Sequence, residues 1–271
     1  MRIARFVHDD NPTFGTVELA ADGGEHPDTV SILNGDPLVG HVQYTGERLP
    51  LADVRLLAPV IPRSKIVAIG RNYAAHAAEF GHEVPTEPMT FLKPNTSVIG
   101  PGEPIVYPNA SDHVDHEDEL AVVIGRICRD VPLDRVADVI FGYTCANDVS
   151  ARDLQKRDGQ WGRAKGFDTF CPLGPWIVTH LPVAEASDLQ LTTVVERGGV
   201  RLERQSASTA QLVHGVAELV AFVTSFCTLL PGDVILTGTP EGVGPIEPGD
   251  VVHVSIEGIG TLSNPVVAQD A

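Results

Sequence analysis

The sequence predicts an α+β fold that is mostly β, with a small β-rich domain over residues 1–58 leading into a larger domain over residues 59–271. Three observations carry this. Short apolar runs bounded by turn residues outnumber helical patterns along the chain. Three of those runs open on Pro-Gly, at 101–102, 231–232 and 248–249. Strand and helix patterns show no βαβ alternation, and no fixed-period repeat is present.

The elements follow in chain order. Ile3–Val7, Gly15–Leu19 and Thr29–Leu33 read as short strands, and Asn34-Gly35-Asp36 supplies a turn. Ala58-Pro59-Val60-Ile61-Pro62 is a stiff connector, because each proline fixes its own φ and keeps its predecessor extended. Lys65–Gly70 then reads as a strand and Tyr73–Phe80 as a two-turn, alanine-rich helix. Asn72 is the expected N-cap and Gly81 the left-handed stop. Such a helix is marginal alone and suits a lid held by packing or ligand. Val139–Cys145 is an apolar strand, and each Pro-Gly pair suits a type II turn into a strand. One long helix is expected from about Thr209 to Leu230. Ser208 and Gln211 make its capping box, and Leu212, Val216, Leu219, Val223, Cys227 and Leu230 its apolar stripe.

Composition bounds the function. The 271 residues hold 19 Lys plus Arg against 36 Asp plus Glu, a net charge of −17. So acidic a chain is repelled by phosphate backbones and anionic membranes, which argues against nucleic-acid or membrane partners. The apolar stretch Leu212–Leu230 is interrupted by His214 and Glu218, and MRIARFVHDD carries no signal-peptide pattern. Four scattered cysteines without a CxxC pair read as reduced thiols, so a cytoplasmic location is expected. No GxGxxG after a strand, Walker loop, GxSxG or HExxH occurs, which leaves carboxylates, lysines and histidines as the groups able to do chemistry.

Glu117 and Glu119 stand two apart at the head of an apolar run and share a face in an extended chain. Two carboxylates entering a core together are costly without a positive charge between them, and Mg²⁺ or Mn²⁺ prefers such oxygen ligands. Alone, the pair reads more simply as a solvated strand end. Asp148, where a strand gives way to loop or helix, offers a third carboxylate, and Arg152 and Gln155 follow at helical spacing. His76 and Glu79 are neighbours at i and i+3, so the carboxylate can orient the imidazole as a base, although a surface pair is the plainer reading. Arg71, Lys93, Arg152 and Lys165 are cations beside apolar runs, able to hold an anionic substrate or stabilise an enolate. Leu236–Gly244 is a strand running into a glycine-rich loop.

Gly70-Arg71-Asn72-Tyr73 with His76 and Glu79, Phe91-Leu92-Lys93-Pro94, Glu117-x-Glu119, Asn147–Asp153, Lys165–Thr169 and Thr237–Gly242 together resemble the fumarylacetoacetate hydrolase family. The likeness is to its short members, which act as acylpyruvases, oxaloacetate decarboxylases or hydroxyheptadienedioate isomerases. It spans nearly all of Lys65 to Pro265 and is looser before Ala58. The resemblance implies a rolled, mixed β-sheet catalytic domain, usually homodimeric. It implies Glu117, Glu119 and Asp148 as ligands of Mg²⁺ or Mn²⁺, Lys165 beside the metal and Thr169 as a supporting polar neighbour. Catalytic roles are implied for His76, Glu79 and Lys165, and substrate contacts for Arg71, Tyr73, Lys93, Arg152, Gln155 and Thr239. The local H-x-x-E sets the chain apart from the larger fumarylacetoacetate hydrolases. The substrate implied is a small 2-oxo acid with a second carbonyl or carboxylate in the β position. The resemblance leaves hydrolysis, decarboxylation and isomerisation open.

Overall fold

A computed structural model describes residues 1–20 and 26–270. Its centre is a long mixed sheet in which the strands Ile140–Asn147, Asp118–Ile124, Val234–Leu236, Ile66–Gly70 and Met89–Lys93 lie side by side in that order. Asp118–Ile124 is buried at every position. Its alternate residues enter two separate cores: Leu120, Val122 and Ile124 on one face, Ala121 and Val123 on the other. A strand covered on both faces has no solvent side, which is why its sequence is apolar without alternation.

Registers bring four strand ends to one edge of this sheet. Asp118 pairs with Asn147, Ala121 with Leu236, and Leu236 with Ala68. The start of Asp118–Ile124 therefore lies beside the ends of Ile140–Asn147, Val234–Leu236 and Ile66–Gly70. A five-stranded sheet, ordered Val200–Ser208, Gln190–Arg197, Val251–Ile256, Gly260–Ala268 and Ile105–Tyr107, packs nearby. The mostly β architecture expected from sequence is what forms.

The N-terminal strands Arg2–His8, Asn11–Glu18 and Thr29–Leu33 form a meander with Tyr44–Pro50. It does not stand alone, because Arg2 and Ile3 pair with Val178 and Ile177 of the strand Cys171–Val178. The three Pro-Gly turns form as expected, with Gly102, Gly232 and Gly249 at φ of 76°, 88° and 99°, where a side chain would be strained.

Two helices differ from expectation. The Thr209–Leu230 helix is split into a 3-10 turn at Thr209–Gln211, closed by the Ser208–Gln211 capping box, and an α-helix over Val216–Phe226. Between them, the Val213 and His214 N–H groups donate to the backbone carbonyl and side chain of Asn72, so tertiary bonds replace helical ones. Val216, Leu219 and Val223 of the predicted stripe are buried; Cys227 only caps the end. The short helix spans Ala74–Glu79 with Tyr73, not Asn72, at its cap and no side-chain bond there. Asn72 is spent on the His214 and Thr237 carbonyls instead. No helix among the described residues is long and apolar enough to cross a membrane.

Candidate metal centre and active-site cavity

The strand ends gather the carboxylates. Glu117 sits in the one-residue gap between the strands Val114–His116 and Asp118–Ile124. Its N–H donates to Asn147 Oδ1 at 2.9 Å and its carbonyl accepts the Asp148 N–H at 2.9 Å, which fixes Asp148 across from it. Oxygens of Glu117, Glu119 and Asp148 all lie within 4.8 Å of one another, and all three side chains are buried. The sequence spacing alone placed two of them on one face; the antiparallel register adds the third.

Two buried lysines and the partly buried Arg152 pair with the cluster. Lys165 Nζ donates to Glu117 at 2.8 Å, Asp148 at 2.6 Å and Ser150 Oγ at 2.7 Å. All three of its protons are thus committed to the protein, so it sets the charge of the site from within the cluster. Lys93, the last residue of its strand, donates to the other Asp148 oxygen at 2.5 Å and to the Lys165 carbonyl. It lies behind Asp148 and does not line the cavity. Arg152 spans Asp115 at 2.7 Å and Glu117 at 2.6 Å, and its guanidinium also meets Gln155 Oε1 at 3.1 Å. Tyr73 is buried in the core with its hydroxyl unpartnered, outside the cavity wall. The Thr169 hydroxyl accepts the Val106 N–H at 2.9 Å, and the polar neighbour that supports Lys165 is Ser150.

Glu119 is the exception. Among the described residues no lysine or arginine pairs with it, and one oxygen accepts the Gly238 N–H at 2.5 Å. Burial, followed by the charges of Asp148 and Glu117, pushes its carboxyl well above the usual range. Glu117 goes the other way: burial opposes its charge, but Lys165 and Arg152 hold it below that range. Lys165 only partly offsets the rise at Glu119 from a distance, and a buried carboxylate without an ion-pair partner of its own, converging with two others, fits a divalent cation. The all-oxygen donor set suits Mg²⁺ or Mn²⁺.

The three carboxylates line a cavity of about 510 Å³. His76 and Ala77 of the short helix and Phe80 at its end line it, as do Phe91 and Trp161, whose rings lie 5.1 and 5.9 Å from Lys165 Nζ. His76 Nδ1 is 3.3 Å from Glu79 Oε2, while the other Glu79 oxygen accepts the Gly242 N–H at 3.3 Å. Burial lowers the His76 pKa, with Glu117 opposing, so the neutral imidazole is favoured. Arg152 stacks on the Phe80 ring at 5.2 Å, and Arg71, at a left-handed φ of 58°, lies over Trp161 at 5.9 Å. A Cβ on Gly70 would stand 2.5 Å from the Trp161 ring, so only glycine admits that wall. Thr239, Gln155, Lys156 and His82 complete the lining. The roles of Asp115, Ser150, Phe80 and Phe91 were not legible in sequence; their only local signal was proximity to residues that were.

Residues 65–267 match the family model described as fumarylacetoacetate (FAA) hydrolase, C-terminal, and residues 1–59 match one described as Rv2993c-like, N-terminal. The chain is 51% identical over 267 residues to Protein Rv2993c of Mycobacterium tuberculosis, covering 98% of each. It is 52% identical to a solved structure named 5-carboxymethyl-2-hydroxymuconate delta-isomerase from Mycobacterium smegmatis, with a TM-score of 0.88 over 99% of this chain and 100% of that one. A maleylpyruvate hydrolase from Sphingobium sp. SYK-6, solved with manganese(II) and pyruvate, is 32% identical with a TM-score of 0.79, covering 100% of each chain.

Proposed function

Because this chain belongs to the fumarylacetoacetate hydrolase family, we propose that it is a metal-dependent enzyme cleaving a C–C bond in small 2-oxo acids with a β-carbonyl or β-carboxylate. One observation carries the reading: His76, backed by Glu79, lines the same cavity as the three convergent carboxylates. Mg²⁺ or Mn²⁺ held by Glu117, Glu119 and Asp148 supplies Lewis-acid polarisation of the substrate's oxygens when bound.

The chain's own groups do the rest. Arg152, Gln155 and Thr239 orient the acid end of the substrate, and Phe80, Phe91 and Trp161 keep bulk water from the cavity. Glu79 accepts the Nδ1 proton of His76, which leaves Nε2 free as a base. In hydrolysis His76 takes a proton from water as the hydroxide adds to the distal carbonyl. The C–C bond then breaks with its electron pair on the pyruvyl carbon, which recovers that proton. In decarboxylation the same walls need only hold the leaving carboxylate out of the plane of the forming enolate.

A second reading is isomerisation of a 2-hydroxydienedioate, favoured by the half-identical Mycobacterium smegmatis structure named an isomerase. There the dyad would shuttle a proton along the conjugated chain with no water added. Chelator-treated protein is to be given acetylpyruvate, oxaloacetate or 2-hydroxyhepta-2,4-diene-1,7-dioate, with and without Mn²⁺. Loss of enol absorbance and release of pyruvate are the readouts. Mn²⁺-dependent pyruvate release supports cleavage, and absorbance change of the dienedioate without pyruvate supports isomerisation. No Mn²⁺-dependent change with any of the three overturns the proposal.

A further inference from the structure

Gln205 lies on the strand Val200–Ser208 of the five-stranded sheet, outside every sequence pattern that pointed to the site. Its side chain is nonetheless 1% exposed and fully bonded. Nε2 donates to the Pro240 carbonyl at 2.9 Å and to Thr239 Oγ1 at 2.8 Å. Oε1 accepts from the Asp118 N–H, the Thr193 hydroxyl and His116 Nδ1, each at 3.1 Å.

Two backbone groups of opposite kind fix which way this amide faces. The Pro240 carbonyl can only accept, so Nε2 must be on its side, and the Asp118 N–H can only donate, so Oε1 must be on the other. The Thr239 hydroxyl therefore receives a hydrogen bond from Gln205 and keeps its own proton free. Among the described residues that proton has no acceptor, and Thr239 lines the cavity next to Gly238, which holds Glu119.

We propose that Gln205 is a positioning residue for substrate recognition, fixing the Thr239 hydroxyl as a donor to the carboxylate of a bound 2-oxo acid. The inference rests on the reading of the cavity as a 2-oxo acid site. Gln205→Glu tests it selectively. The new side chain keeps an acceptor for Asp118, Thr193 and His116 but replaces the donor facing Thr239 with a second acceptor. The Thr239 proton is then drawn back into the protein.

Pyruvate is titrated calorimetrically into the full-length, Mn²⁺-loaded protein, and Mn²⁺ affinity is measured separately by electron paramagnetic resonance. Losing one hydrogen bond to a charged group weakens binding by about tenfold or more. Gln205→Glu and Thr239→Val should each raise the pyruvate Kd by about that factor. The double variant should be no worse than either, with Mn²⁺ affinity unchanged in all three. An unchanged Kd in Gln205→Glu overturns the proposal, as do losses that multiply in the double variant. So does a Mn²⁺ affinity that falls in step with pyruvate affinity, since Gln205 would then act through the carboxylate-bearing strand. If Gln205→Glu does not fold, Thr239→Ser should bind pyruvate as the parent does while Thr239→Val loses about tenfold; equal affinities overturn the role of the hydroxyl and with it that of Gln205. A parent protein that binds no pyruvate overturns the functional reading and this inference together. A parent that binds it beside an unaffected Gln205→Glu removes only the role of Gln205.

Discussion

Glu119→Gln separates the metal site from the fold. In the metal-free protein Glu119 is a buried carboxylate facing two others with no cation of its own. The cost of that arrangement cannot exceed the work of protonating an ordinary glutamate at pH 7, about 3.7 kcal/mol. An isosteric amide removes the charge. It keeps an acceptor for the Gly238 N–H, weakened by about 1 kcal/mol because the acceptor is no longer charged. The net expectation is a gain of about 1–2 kcal/mol, which raises the melting temperature of a chain this size by about 2–6 °C. The assay is thermal melting of chelator-treated parent and variant, each with and without Mn²⁺. The variant should melt higher without metal, show no shift on adding Mn²⁺, and lose metal-dependent turnover. A metal-free variant less stable than the parent would refute the argument that the carboxylate cluster is strained by like charge. A retained Mn²⁺ shift would refute Glu119 as a ligand.

Other expectations follow from neighbouring contacts. His76→Ala should lower turnover by about 10²- to 10⁴-fold while leaving the Mn²⁺-induced melting shift intact, and an unchanged turnover would remove His76 as the base. Lys165→Met leaves Glu117 and Asp148 without the ammonium that bonds both, so the metal-free protein should lose about 3–5 kcal/mol in urea unfolding. A loss below about 1 kcal/mol would mean that Lys93 and Arg152 suffice. Asp233, away from the site, accepts bonds from the Leu230, Ser64 and Lys65 N–H groups, the Ser64 hydroxyl and the Lys65 ammonium. Burial opposes its charge, yet these donors lower its pKa. A carboxyl lowered on folding stabilises above its unfolded value, near pH 4, and that stability is lost as pH falls through the lower folded value. Asp233→Asn should therefore cost about 1–3 kcal/mol at pH 7, and its deficit against the parent should shrink below pH 4 in urea melts. A deficit constant from pH 7 to pH 3 would exclude this source.

What was legible in sequence was local. The Pro-Gly turns, the strand after Glu119 and the His76–Glu79 spacing each depend on residues within a few positions of one another, and each forms. What was not legible depends on partners far along the chain. Asn72 reads as a helix cap until the segment around His214, 142 residues later, supplies stronger partners and breaks the long helix at the same time. Lys93 looks like a substrate ligand because a lone lysine in an acidic chain invites that reading. Its contact with Asp148, 55 residues on, turns it inward. Phe80 and Phe91 carry no polar atom, so nothing in their chemistry marked them as cavity wall. Gln205 lies in a strand whose neighbours are mostly exposed, where a polar residue attracts no notice.

The pairing of Arg2 and Ile3 with Val178 and Ile177 gives the first residues a protective task. The Met1 carbonyl extends it by accepting the Thr179 N–H at 2.9 Å. Without the N-terminal meander, one flank of Cys171–Val178 beyond its short pairing with Val98 and Ile99 would present open N–H and C=O groups beside the apolar Ile177. Bare edges of that kind template pairing with other chains. The leading segment thus works as a selvedge, finishing the fabric of the sheet where it would otherwise fray into aggregation. A version trimmed to the catalytic part would meet its first difficulty in solubility, well before chemistry.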